Sequence, residues 1–154
     1  MKGIQFNIEN KSLDFIYNLL KGISSSDFVW KISEDEVYKN APGDKFPFAS
    51  RLFEQEIYDN DIFFETIKEE NYAIFCNIQL YKKDDNISYI SNANDFINSK
   101  CKMIFLLTDD CFVEIYCKEK KLMNIIRKNM DNMGIKKYID KDIYSRRTMF
   151  ARGD

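Results

Sequence analysis

The side chains that could do chemistry here are carboxylates, tyrosines, lysines, thiols and one tryptophan, because the 154 residues include no histidine. Histidine is the side chain that ordinarily changes charge near neutral pH. Its absence excludes Ser/His/Asp and Cys/His nucleophile systems and histidine-based zinc sites. Acid–base work would fall to groups whose pKa a specific pocket has shifted. Glu114 and Tyr116 are the first pair to consider. They stand two apart in the alternating run Cys111–Cys117 and therefore share one strand face, read as the solvated one. Trp30 shares a strand face with Phe28 and Ile32, which points to core packing; a stacking platform for a ligand or partner is its functional alternative.

The remaining clusters have plainer readings. Glu34-Asp35-Glu36 and Asp109-Asp110 fit hairpin turns, where acidic residues favour the backbone conformation. The calcium-loop spacing D-x-[DN]-x-[DN]-G is missing, as are GxxxxGK[ST] and GxGxxG. The expectation is no metal and no cofactor. Cys76, Cys101, Cys111 and Cys117 contain no CxxC pair and read as buried or half-buried reduced thiols. Lys118, Lys120, Lys121, Arg127 and Lys128, read as one helix face, with Lys136, Lys137, Arg146 and Arg147 behind them, form the best cationic surface. The chain lacks an RNP-type aromatic pair and a helix-turn-helix, and its formal charge is −2, so no nucleic-acid partner is expected. That small net charge hides an asymmetry: residues 1–75 carry 8 basic and 14 acidic side chains, residues 76–154 carry 15 basic and 11 acidic.

Hydrophobic periodicity supplies the elements that must position these groups. Gly3–Ile8 alternates as a first strand, and Leu13, Ile16, Tyr17, Leu20 and Ile23 mark a helix ending near Gly22. Two short strands joined by the acidic turn follow over 28–38, then a breaker loop over Asn40–Pro47. Residues 51–58 read as extended. A helix capped by Asp59 or Asp61 runs to about Glu70, with Asn71 as its C-cap. Tyr72–Tyr81 is a strand, 82–86 a turn, Ile87–Ile90 a short strand, and Asn92–Asn98 two helical turns. Met103–Leu107 is apolar on both faces and reads as a central strand, hairpin-paired with Cys111–Cys117. Leu122, Ile125, Ile126, Met130 and Met133 define a helix that stops at Gly134, before a last strand over Ile135–Ile139. Turns too short for parallel crossovers make the sheet mostly antiparallel: an α+β fold with helices packed against the sheet, one domain over 1–144 and a frayed tail over 145–154.

The phrases Met1-Lys2-Gly3-Ile4, Tyr17–Ile23, Val29-Trp30-Lys31-Ile32, Ile115-Tyr116-Cys117-Lys118 and Ser145-Arg146-Arg147-Thr148 together resemble a family of roughly 150-residue cytoplasmic proteins from low-GC Gram-positive bacteria. That family is catalogued only as a domain of unknown function, so the resemblance implies a single domain and transfers no site. No apolar leader core precedes the first strand, and no apolar run nears the roughly 18–20 residues that span a bilayer. The expectation is a cytoplasmic, non-catalytic protein-binding module, immunity-like or regulatory, monomeric or weakly dimeric, without a membrane partner. The alternative is a small-ligand protein or enzyme using carboxylate and tyrosine groups on the sheet face. The candidate residues are Trp30, Glu114, Tyr116, Arg146 and Arg147, none assigned a catalytic role.

Overall fold

The computed structural model describes residues 2–40 and 50–143. The breaker loop beyond Asn40 and the tail that carries Arg146 and Arg147 lie outside the described residues. The order of elements is β1 (Lys2–Asn7), α1 (Phe15–Leu20), β2 (Phe28–Lys39), β3 (Ile57–Asp59), α2 (Asn60–Lys68), β4 (Asn71–Lys82), α3 (Ala93–Asn98), β5 (Met103–Thr108), β6 (Phe112–Cys117), α4 (Lys120–Asn132) and β7 (Ile139–Asp142). The strands form one sheet, ordered β3-β2-β4-β5-β6-β1-β7, in which every pairing is antiparallel. The chain is an α+β protein, as its short turns require.

β5 is the middle strand, and its alternation divides the core. Met103, Phe105 and Leu107 join one apolar cluster, while Ile104 and Leu106 join another on the opposite face. The first cluster is covered by α1, α2 and α4, whose buried stripes include Phe15, Leu19, Phe63, Ile67, Leu122 and Met130. α1 packs on both α2 and α4. The second cluster is covered by α3, through Ala93 and Phe96, and by Ile90, Cys101 and Ile143. Helix ends follow the local chemistry: Gly22 and Gly134 take φ of +90° and +76°, a region closed to most side chains. The Asn129 amide closes the C-terminal end of α1 by donating to Leu19 O and Lys21 O, each at 2.8 Å.

Several local expectations are corrected. Glu34-Asp35-Glu36 is not a turn but the middle of β2. Two register irregularities against β4, at Ile32/Glu34 and Glu36/Val37, absorb the acidic run and keep pairing continuous. Asn71 does not cap α2; Glu69 does, because Asn71 N already donates to Leu13 O as β4 begins. Residues 87–90 pair with no strand among the described residues, and the last strand starts at Ile139, with 135–138 irregular. Lys118 precedes α4 and reaches back to Ser99 O and over the Phe96 ring, on the face opposite that helix. Cys111 is exposed, because Asp109 and Asp110 make the hairpin turn at positive φ and β6 begins only at Phe112.

Leu106 is buried in the second cluster, on the less heavily covered face. Leu106→Ala is expected to cost about 2–5 kcal/mol, read from the midpoint of urea unfolding at unchanged slope. A loss within error of zero would show that this face carries little of the core.

Candidate functional site

The antiparallel register sets Gln5 of β1 opposite Glu114 of β6, and Gly3 opposite Tyr116. Glu114 and Tyr116 do share a face, but it is the second buried face and not a solvated one; both are 0% exposed. The polar positions on this face satisfy one another. Gln5 Nε2 donates to Glu114 Oε1 at 2.9 Å and the Tyr116 hydroxyl to Glu114 Oε2 at 3.1 Å. Further along the same face, Tyr81 OH donates to Gln79 Oε1 at 2.9 Å and Gln79 Nε2 to Asn77 Oδ1 at 3.1 Å. A buried carboxylate needs such donors, since desolvation without them costs several kcal/mol. Gly3 is required by the same arrangement: a Cβ there would collide with the Tyr116 ring and stand 2.6 Å from Ile115 O.

Trp30 is likewise interior. Its ring stacks on Phe63 with centroids 4.3 Å apart and meets Phe64 edge-on, and Nε1 donates to Asn60 Oδ1 at 2.9 Å. Asn60 passes the network on to Ser24 Oγ at 2.7 Å. The platform reading is corrected, because both faces of the indole are committed to the core.

What reaches the surface is a groove of about 520 Å³ beside the Glu114 network, lined by Gln5, Phe6, Asn7, Phe112, Lys137, Tyr138 and Ile139. Gln5 forms part of its wall while its amide holds Glu114. A second depression of about 670 Å³ shares Asn7 and Lys137 with it and adds Lys21 and Lys136. Ile139 is 53% exposed and Tyr138 39%, which leaves apolar surface bordered by lysines. Periodicity missed this groove because residues 135–138 break the pattern instead of extending it.

Charge is segregated across the sheet. Residues 28–40 and 50–70, which build β2, β3 and α2, carry ten acidic and four basic side chains. Residues 118–143, which build α4 and β7, carry eight basic and four acidic. These groups stand at opposite ends of the strand order. Part of the cationic surface is already paired, Arg127 with Asp140 at 3.1 Å and Lys102 with Glu119 at 2.8 Å.

Two further ionic sites escaped the sequence. The Lys11 ammonium, its side chain 5% exposed, donates to Ala73 O at 2.9 Å, to Asp110 O at 3.1 Å and to Asp110 Oδ1, and lies over the Tyr72 ring. Tyr72 OH donates to Asp110 Oδ2 at 2.6 Å. Burial pushes the Asp110 carboxyl up, but the Lys11 and Tyr72 hydrogen bonds and the Lys11 charge outweigh it and hold the pKa below the usual range. The hydrogen bond to Asp110 pushes the Tyr72 phenol above its own. In β2, burial raises the Asp35 pKa against the opposing pull of Arg51, 3.6 Å away. Burial also pushes the Cys101 and Cys117 thiols up to about 12, which makes both poor nucleophiles. Among the described residues no cluster of three or more metal-ligating Cys, Asp or Glu side chains occurs.

Gly3→Ala is expected to push Tyr116 off β1 and cost about 1–3 kcal/mol by overpacking, with loss of near-ultraviolet tyrosine dichroism. Full stability would show that the ring has room to move. The Lys11–Asp110–Tyr72 triad sets a pH dependence of opposite sign at each extreme. Asp110, with a lowered folded pKa, stabilises above its unfolded pKa and loses that contribution as pH falls through the folded value. Tyr72, with a raised one, stabilises below its unfolded pKa and loses it as pH rises through the folded value. Urea midpoints across pH should therefore show a shallower acid limb in Asp110→Asn and a shallower alkaline limb in Tyr72→Phe. Limbs identical to the parent's would refute the assignment.

Comparison with known proteins agrees with this architecture-without-motif. The chain is 26% identical over 128 residues to the uncharacterized protein YncE of Bacillus subtilis (strain 168), covering 82% of this chain and 80% of that protein. No solved structure matches it. A family model described as "Protein of unknown function (DUF2691)" matches residues 1–150. That match spans the whole of the sheet, and the chain belongs to this family of proteins of unknown function.

Proposed function

We propose that the chain is a non-catalytic protein-binding module of the cytoplasm, of the regulatory or immunity-like kind. The observation that carries the reading is the polarity of the sheet: an acidic end, and a basic end where exposed Tyr138 and Ile139 border a groove. Apolar side chains ringed by charge are the pattern of a protein interface, the apolar part for affinity and the charge for steering and selectivity. Three buried cysteines without a disulfide support a reducing compartment. No helix among the described residues is long and apolar enough to cross a membrane.

The catalytic alternative loses its motive. Glu114 and Tyr116 hydrogen-bond to each other beneath the surface, and neither lines the groove. A nucleic-acid role is weakened as well, because Lys118 sits across the sheet from α4 and Arg127 is paired with Asp140.

Affinity capture from bacterial cytoplasm at low salt tests the reading, with wild-type chain as one bait and Lys136→Glu/Lys137→Glu as the other. The expected result is a protein retained stoichiometrically by the first and lost from the second. Equal recovery on both baits, or a tightly held metabolite found by native mass spectrometry in place of a protein, would overturn it.

A further inference from the structure

We infer that the basic groove end of one molecule docks on the acidic end of a second copy of the same chain, giving a weak head-to-tail association. Each end carries what the other lacks. At the acidic end, Ile57 in β3 and Ile62 in the first turn of α2 are both 49% exposed. They stand among Glu54, Glu56, Asp59, Asp61 and Glu65, all exposed. At the basic end, Tyr138 and Ile139 project beside the groove with Lys136 and Lys137 next to them. Neither Lys137 nor Glu56 forms an ion pair among the described residues, so both charges remain open to an outside partner. Lys136 makes only a 3.5 Å contact with Asp131 between two side chains about 70% exposed, which is readily exchanged.

β3 and β7 are the terminal strands, so the two patches lie on opposite sides of the molecule. A like-to-like dimer would set lysines against lysines or carboxylates against carboxylates; only the heterologous contact pairs opposite signs. Such a contact does not close on itself unless its rotation happens to form a ring. It therefore predicts graded, concentration-dependent growth and no fixed dimer. The inference does not depend on a foreign partner, and a foreign acidic partner at the groove would compete with it.

Sedimentation velocity on the full chain tests it. Weight-average sedimentation should rise with concentration toward the range of a Kd of about 0.1–1 mM. The rise should be present at about 0.01 M salt and abolished at about 1 M, where the screening length falls from about 30 to about 3 Å. Lys136→Glu/Lys137→Glu sets carboxylates against Glu56 and Glu65, and Glu56→Lys/Glu65→Lys sets lysines against Lys136 and Lys137, so each alone should stay monomeric. Mixed in equal amounts they should associate again, a rescue that misfolding could not produce. Wild type that stays monomeric near 1 mM at low salt would overturn the inference. So would association that survives high salt, or variants that associate alone but not when mixed. Failure here leaves capture of a foreign protein as a separate measurement.

Discussion

The rest of the structure depends on β5 having no solvent side. Every residue from Met103 to Leu107 is buried, and alternation sends their side chains into two cores. A sheet whose central strand is apolar on both faces must be covered on both. Here the coverage is unequal: three helices and a stack of Trp30, Phe53, Tyr58 and Phe63 fill one face, against α3, Ile90 and Ile143 on the other. The thinner cover explains why the second face holds Gln5, Asn77, Gln79 and Glu114. Short of apolar surface to bury, that face is closed by polar side chains that satisfy one another.

Such a network binds its members to one geometry. Glu114 accepts from Gln5 on the neighbouring strand and from Tyr116 on its own, and the Tyr116 ring occupies the space above Gly3. Exchange of any partner strands a buried donor or acceptor at about 1–3 kcal/mol. The arrangement therefore fixes the register of β1 on β6, because a one-residue slip would carry Gln5 to the helix-covered face and bring a Cβ-bearing residue against the ring. The Glu114 carboxylate thereby ties β6 to β1 through Gln5 and is held in place by Tyr116.

Much of the fold was legible because the strongest signals are local. The apolar run of β5, the Thr108–Asp110 turn and the Leu122–Met133 stripe each specify an element without knowledge of its neighbours. Errors fell where a distant strand decided the matter. Glu34-Asp35-Glu36 carries turn-forming residues, but twelve residues of β4 run alongside, and two bulges cost less than breaking the ladder. Glu114 between Val113 and Ile115 has the alternation of a half-exposed strand; nothing within β6 reveals that Gln5, 109 residues away, makes its face interior. Nothing local to Lys11 signals its role for the same reason, since all its acceptors come from β4 and the β5–β6 turn.

The charge split was visible as a difference between chain halves, yet its spatial form is set by topology. β1 and α1 belong to the acidic half, but β1 inserts between β6 and β7, and α1 leans on α4. What remains of the first half at the far end, β2, β3 and α2, is therefore richer in carboxylates than the half as a whole. The strand order thus concentrates a diffuse bias into two patches about the width of the sheet apart. Seven strands at about 4.8 Å span roughly 29 Å, close to three screening lengths at 0.1 M salt. At that separation the two ends cannot neutralise each other, so each presents its own net sign to whatever approaches.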